Sequence, residues 1–95
     1  MTDDQTLPIP GSVEAKRKRL RFRAWHRGTR EMDLILGHFA DAHVPTMTEA
    51  ELIDFEALIG LPDDTVFKWI TKREDVPHFY DTTVMARLQK LDYVA

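Results

Sequence analysis

Apolar residues in this chain recur every three or four positions, the spacing of one helix face. No stretch sustains period-two alternation, and no Asn-Gly or Asp-Gly hairpin turn occurs, so strands are not expected. A first helix over 13–26 carries Leu20 with Ala24 four residues on and Val13 seven before, a stripe one residue wide. Phe22 and Trp25 form a second pair, Ser12 suits the N-cap, and Glu14 falls in the first turn. A second helix over 29–43 aligns Met32, Ile35, Leu36, Phe39, Ala40 and His43, with Leu34 off that line and Pro45 closing the segment. A third helix, running to 59, buries Leu52, Phe55, Leu58 and Ile59 and ends at Gly60. Its start has two competing capping boxes, Thr48 with Glu51 and Thr46 with Glu49.

A fourth helix over 62–72 opens on Pro62, takes Asp63 and Asp64 at its amide end, and turns Val66, Phe67, Trp69 and Ile70 inward. A fifth over 79–92 spaces Tyr80, Val84, Leu88 and Leu91 by four, four and three, with Met85 beside them. Five short helices with short links make an all-α, compact five-helix bundle over 12–95. Residues 1–11, with Asp3, Asp4, Pro8 and Pro10, read as a flexible tail, because proline disfavours helix in the residue before it. There is no internal repeat.

Ninety-five residues make one small domain with a modest core. The 43% apolar and 31% charged content is ordinary for a globular protein. Without cysteine there is no disulfide framework, thiolate nucleophile or thiolate metal site. The longest apolar pieces, at 34–36 and 58–61, fall far short of a membrane span, which excludes direct insertion. The start of the chain resembles no secretory signal and is too acidic for a mitochondrial transit peptide, so a cytoplasmic location is expected. The net charge of −3 conceals an asymmetry. From residue 12 to 30 eight Lys/Arg face one Glu, a balance of +7; from 31 to 95 five Lys/Arg face thirteen Asp/Glu, a balance of −8. The chain therefore presents a basic end and an acidic body.

Candidate chemistry is sparse. His38 and His43 are five apart, not the four that places two imidazoles on one helix face, and no His-Glu-x-x-His motif exists, so no metal site is expected. The four glycines stand alone and form no phosphate loop, and the single serine, Ser12, sits at a helix cap. No catalytic residues are expected, and the chain does not read as an enzyme. The run from Lys16 to Arg23 is the main nucleic-acid signal, with Phe22 and Trp25 interleaved. Against it stand the acidic body and a pI of about 5.7. A basic face docking an acidic protein, or a solvated face with no partner, explains the same residues. Trp69 reads as core; Trp25 is open to either role.

The corner between the first two helices is denser in charge than a connection requires. It reads Trp25-His26-Arg27-Gly28-Thr29-Arg30-Glu31-Met32-Asp33. Gly28 suits a helix stop, since glycine accepts a left-handed backbone at little steric cost. With Gly28 as N-cap, Glu31 would take the third helical position and support the cap. Arg27 and Arg30 could simply pair with Glu31 and Asp33.

Arg27-Gly28-Thr29-Arg30-Glu31-Met32-Asp33 resembles the Arg-Gly-x-x-Glu signature, with its trailing acid, of the succinate dehydrogenase flavinylation (assembly) factor family. The likeness continues through the basic first helix, the apolar run to Phe39, the Leu58-Ile59 end of the third helix, Phe67-x-Trp69, and Val84-Met85-Ala86-Arg87-Leu88. It covers about residues 12–92 and leaves the tail unmatched. The resemblance implies a five-helix protein that binds the flavoprotein subunit of succinate dehydrogenase, with that of fumarate reductase as a further candidate. It implies that the chain promotes covalent attachment of FAD to a histidine of that subunit. There the histidine nitrogen attacks the flavin's 8α-methyl carbon in its quinone-methide form, with negative charge gathering on the ring. The flavoprotein supplies those groups, so the factor, a monomer when free, needs no tightly bound cofactor of its own. Carried over by position, Arg27, Gly28 and Glu31 are expected to meet the flavoprotein, with Arg30, Asp33, Trp25 and His26 as interface neighbours. Arg27 would offer its planar fork to a client carboxylate or carbonyl, and Glu31 would orient the client's histidine. The basic first helix would steer the chain toward an acidic client surface.

Overall fold

A computed structural model describes residues 11–93. Among them are five α-helices and no strand. They are α1 (Val13–Ala24), α2 (Arg30–His43), α3 (Glu49–Ile59), α4 (Asp63–Ile70) and α5 (Thr83–Lys90), with 3₁₀ turns at Val44–Thr46 and His78–Tyr80. The tail expected over 1–11 lies, apart from Gly11, outside the described residues, as do the last two positions of the chain.

Side-chain caps set most of the boundaries. Ser12 accepts from the Ala15 amide, Thr29 from Met32 and Thr82 from Met85. Of the two possible capping boxes at α3, the one with Thr48 and Glu51 forms, in both directions. Glu51 also meets Arg87 of α5 at 2.7 Å. The Thr48 amide first, and Arg87 after it, hold the Glu51 carboxyl below its ordinary value of 4.5.

Several boundaries differ from the sequence expectation. Helix α1 stops at Ala24 with Trp25 as C-cap, so Gly28 lies beyond the cap rather than forming it. Helix α2 is capped by Thr29, not Gly28, which moves Glu31 to the second helical position. Pro62 is the cap of α4 rather than its first residue, and the helix ends at Ile70. The expected fifth helix is shorter, because the Thr82 cap starts α5 after a separate 3₁₀ turn that holds Tyr80.

Helix α1 packs on α2 and α3, and α5 closes the bundle against α3 and α4. The core joins Leu20 and Ala24 of α1, Met32, Leu36, Phe39 and Ala40 of α2, and Leu52, Phe55, Leu58 and Ile59 of α3. Val44 and Met47 between α2 and α3, Val66, Trp69 and Ile70 of α4, and Val84, Met85 and Leu88 of α5 complete it. Phe67, expected inward, is only half-buried, with the Arg73 guanidinium 5.5 Å over its ring. Burial pushes the Tyr93 phenol above its usual range, and its hydroxyl donates to the Leu88 carbonyl at 2.8 Å. No side-chain N or O atom is left buried without a partner among the described residues.

Candidate functional site at the first helix corner

Residues 25–29 connect two helices that pack side by side, and each of their side chains does something different. Trp25 lays its indole on Gly37 of α2, so closely that a Cβ built at Gly37 would clash with the ring face at Trp25 Cδ2. The indole Nε1 donates to Asp41 at 3.2 Å, and the ring edge meets His38 at 5.0 Å. The half-buried tryptophan thus fixes where the chain leaves α1. His26 is exposed, donates from Nδ1 to the Phe22 carbonyl at 2.6 Å, and stacks on the Phe22 ring at 4.0 Å.

Arg27 turns the opposite way. Its side chain is only 10% exposed and its Nε donates to Asp63 Oδ1 at 2.8 Å. One terminal nitrogen donates to the Leu61 carbonyl at 2.6 Å and the other to the Ile59 carbonyl. Those two carbonyls lie at the end of α3 and just past it, where the backbone lacks helical partners, and the cation also complements the negative end of that helix. The Arg27 amide itself donates to Asp33 Oδ1. The pairing of Arg27 with Glu31 that the sequence allows does not form; Asp63, thirty-six residues away, takes that place.

Gly28 comes next, with φ +116° and open space around it: a Cβ there would meet nothing within 4 Å. Such a backbone strains any L side chain, which explains glycine here without any crowding. Thr29 then bonds back to the same Asp63, Oγ1 to Oδ2 at 3.3 Å, while capping α2. Arg30 and Glu31 are exposed on the first turn of α2, and neither makes a side-chain hydrogen bond or ion pair among the described residues.

The expected site residues therefore separate into two sets. Gly28, Arg30, Glu31 and His26 face outward, whereas Trp25, Arg27 and Asp33 hold the corner in place. The basic run separates in the same way. Lys16 pairs with Glu56 at 3.0 Å, Arg21 with Asp41 at 3.4 Å, and Arg17 donates to the Val44 and Met47 carbonyls. Lys18, Arg19 and Arg23 have no such partner among the described residues. With the 63% exposed Phe22 they share one solvent-facing side of α1. No group of three or more His, Asp or Glu among the described residues could hold a metal ion.

Sequence reasoning did not foresee Asp63, Gly37 or Asp41 as parts of this corner. Asp63 carries no local signal beyond an acid at a helix start. Gly37 did carry one, since an interior helical glycine costs about 1 kcal/mol against alanine and so calls for a packing reason.

A family model described as "Flavinator of succinate dehydrogenase" matches residues 18–92 of the chain. Similar proteins include "FAD assembly factor SdhE" of Acetobacter pasteurianus, 39% identical over 77 residues, which cover 81% of this chain and 71% of that one. "Succinate dehydrogenase assembly factor 2, mitochondrial" of Dictyostelium discoideum is 38% identical over 77 residues, covering 81% of this chain and 55% of its own length. The protein of that name from Scheffersomyces stipitis is 35% identical over 80 residues, 84% of this chain and 54% of its own. The chain thus spans little more than half the length of these mitochondrial relatives.

Proposed function

Because the chain belongs to the flavinator of succinate dehydrogenase family, we propose that it is an assembly factor for the succinate dehydrogenase flavoprotein subunit. It binds that subunit, and the corresponding subunit of fumarate reductase is a second client. By binding, it promotes covalent attachment of FAD to the client. The chain acts without catalytic groups of its own and holds no FAD tightly; the client supplies the reacting atoms. It works as a cytoplasmic monomer until it meets the client, and it does not insert into a membrane. Among the described residues no helix is long and apolar enough to cross one.

The observation that carries this reading is the outward set at the corner. Gly28, Arg30 and Glu31 are exposed and without side-chain partners among the described residues, yet they stand on a backbone fixed from both sides. A rigid polar edge of this kind can hold a client conformation in which its histidine and flavin are aligned, stabilising that conformation by interface contacts. Gly28 lets a client approach the backbone itself, and Glu31 offers a carboxylate with no competing partner among the described residues. The alternative, a nucleic-acid module, is weakened by the same geometry. Lys16, Arg17, Arg21 and Arg27 are engaged within the fold, so half the cations of the basic end already have partners there.

The test is co-expression of the host's succinate dehydrogenase flavoprotein with and without this chain, reading covalent flavin by in-gel fluorescence of the denatured subunit. Wild type should raise the fluorescence, and Gly28→Arg and Glu31→Ala should not. Glu31→Ala is the cleaner variant, since an exposed unpaired side chain changes stability by no more than ~0.5 kcal/mol. Gly28→Arg adds a backbone strain of about 1–3 kcal/mol. No rise with the wild-type chain would reject this client.

A further inference from the structure

We infer that Asp63 is a positioning residue for client binding, and that Arg27 acts through it rather than by touching the client. This rests on the client-binding role proposed for the corner. Asp63 is the first residue of α4, far along the chain, yet its two carboxylate oxygens reach to either side of Gly28: Oδ1 to Arg27 Nε at 2.8 Å and Oδ2 to Thr29 Oγ1 at 3.3 Å. One carboxylate thus straddles the glycine and sets the separation and direction of its neighbours. The Asp63 side chain is 17% exposed and that of Arg27 10%, so the pair is shielded from the screening that weakens surface ion pairs.

Three of the five N–H groups of Arg27 are committed inward, to Asp63 and to the Ile59 and Leu61 carbonyls. To present its fork to a client, Arg27 would have to strand two carbonyls and a carboxylate. The Asp33 carboxylate adds a fourth tie, through the Arg27 amide. The result is a loop with φ +116° at its apex whose flanks are pinned from α2 and from α4. Pre-ordering of this kind strengthens binding by removing the ordering cost at the moment of association. The carboxylate of Asp63 is therefore part of the binding device although it makes no contact with the client.

The experiment uses the full chain and the variants Asp63→Asn, Arg27→Gln and the double variant, with Asp64→Asn as control. Asp64 is the exposed neighbour at the same helix end, so its substitution removes one charge from the helix start without touching the loop. All measurements are made well below each variant's melting midpoint, and the isosteric Asp63→Asn keeps the packing. Without client, ¹⁵N relaxation should show residues 27–29 becoming mobile in Asp63→Asn, with the core of α5 unchanged and Asp64→Asn like wild type. With the client flavoprotein, Asp63→Asn should raise Kd by roughly tenfold or more, and Arg27→Gln should add little in the Asp63→Asn background. Asp64→Asn should bind as wild type does.

A loop that stays rigid in Asp63→Asn overturns the proposal. So does an Arg27→Gln effect that is as large in the Asp63→Asn background as in wild type, because Arg27 would then not be acting through Asp63. If wild type itself fails to bind, the assembly role falls, while the relaxation arm still decides whether Asp63 orders the loop.

Discussion

The end of the bundle where α4 meets α5 and the corner where α1 meets α2 are both well packed, but by different forces. At the first, Val66, Trp69, Ile70, Val84, Met85 and Leu88 are buried and apolar, and Trp69 lies 5.1 Å from the ring of Tyr80. Burial of that kind is non-directional and tolerates exchange among apolar residues of similar volume. At the corner, position is set by three carboxylates, a guanidinium, two carbonyls and one indole seated on a glycine. Hydrogen bonds are directional, and a missing partner leaves the other group desolvated and unpaired. The difference shows why the working edge can be small and polar. The apolar core supplies stability, while the polar corner supplies one defined shape at the surface.

Three substitutions probe this division, from the largest expected effect to the smallest. Phe55→Ala removes a fully buried ring that packs 5.4 Å from Phe39. It should cost about 3–5 kcal/mol in denaturant unfolding, with client affinity per folded molecule unchanged. Lost affinity in the folded fraction would show that core and corner are coupled. Gly37→Ala improves helix propensity yet places a methyl in the Trp25 indole. It should destabilise by about 1–3 kcal/mol and open Trp25 to acrylamide quenching, weakening client binding through the start of the loop. A stabilised variant with Trp25 still protected would show that the indole seat is adaptable.

Glu51→Gln is the mildest. The carboxyl is held below its ordinary value by the Thr48 amide and then by Arg87, so its charged form stabilises the fold. That contribution is present above the ordinary carboxylate range and disappears as pH falls through the lowered value. The stability gap between wild type and Glu51→Gln should therefore be full at pH 7 and shrink as the pH falls below the ordinary carboxylate range. A gap that persists in acid would mean that shape rather than charge carries it.

The sequence alone was enough for the five helices, because apolar residues at three- and four-residue spacing and short-range caps act within a turn or two of chain. Ser12, a capping box at the start of α3, and the buried faces of α2 and α3 follow from such local rules, although the fold chose between the two boxes the sequence offers. It was enough, too, to draw attention to Arg27, Gly28 and Glu31, whose pattern carries a family likeness. It did not show which of them face outward. Arg27 has acids nearby at Glu31 and Asp33, and local spacing favours those partners. Only the folded chain brings Asp63 to it across thirty-six residues. The same holds for half of the basic run, whose cations look free in sequence and are tied to Glu56, Asp41 and the Val44 and Met47 carbonyls in the structure. Hydrophobic periodicity is a local property and can be read along the chain. The pairing of charges depends on which helix ends meet, and that is decided by how the apolar faces pack.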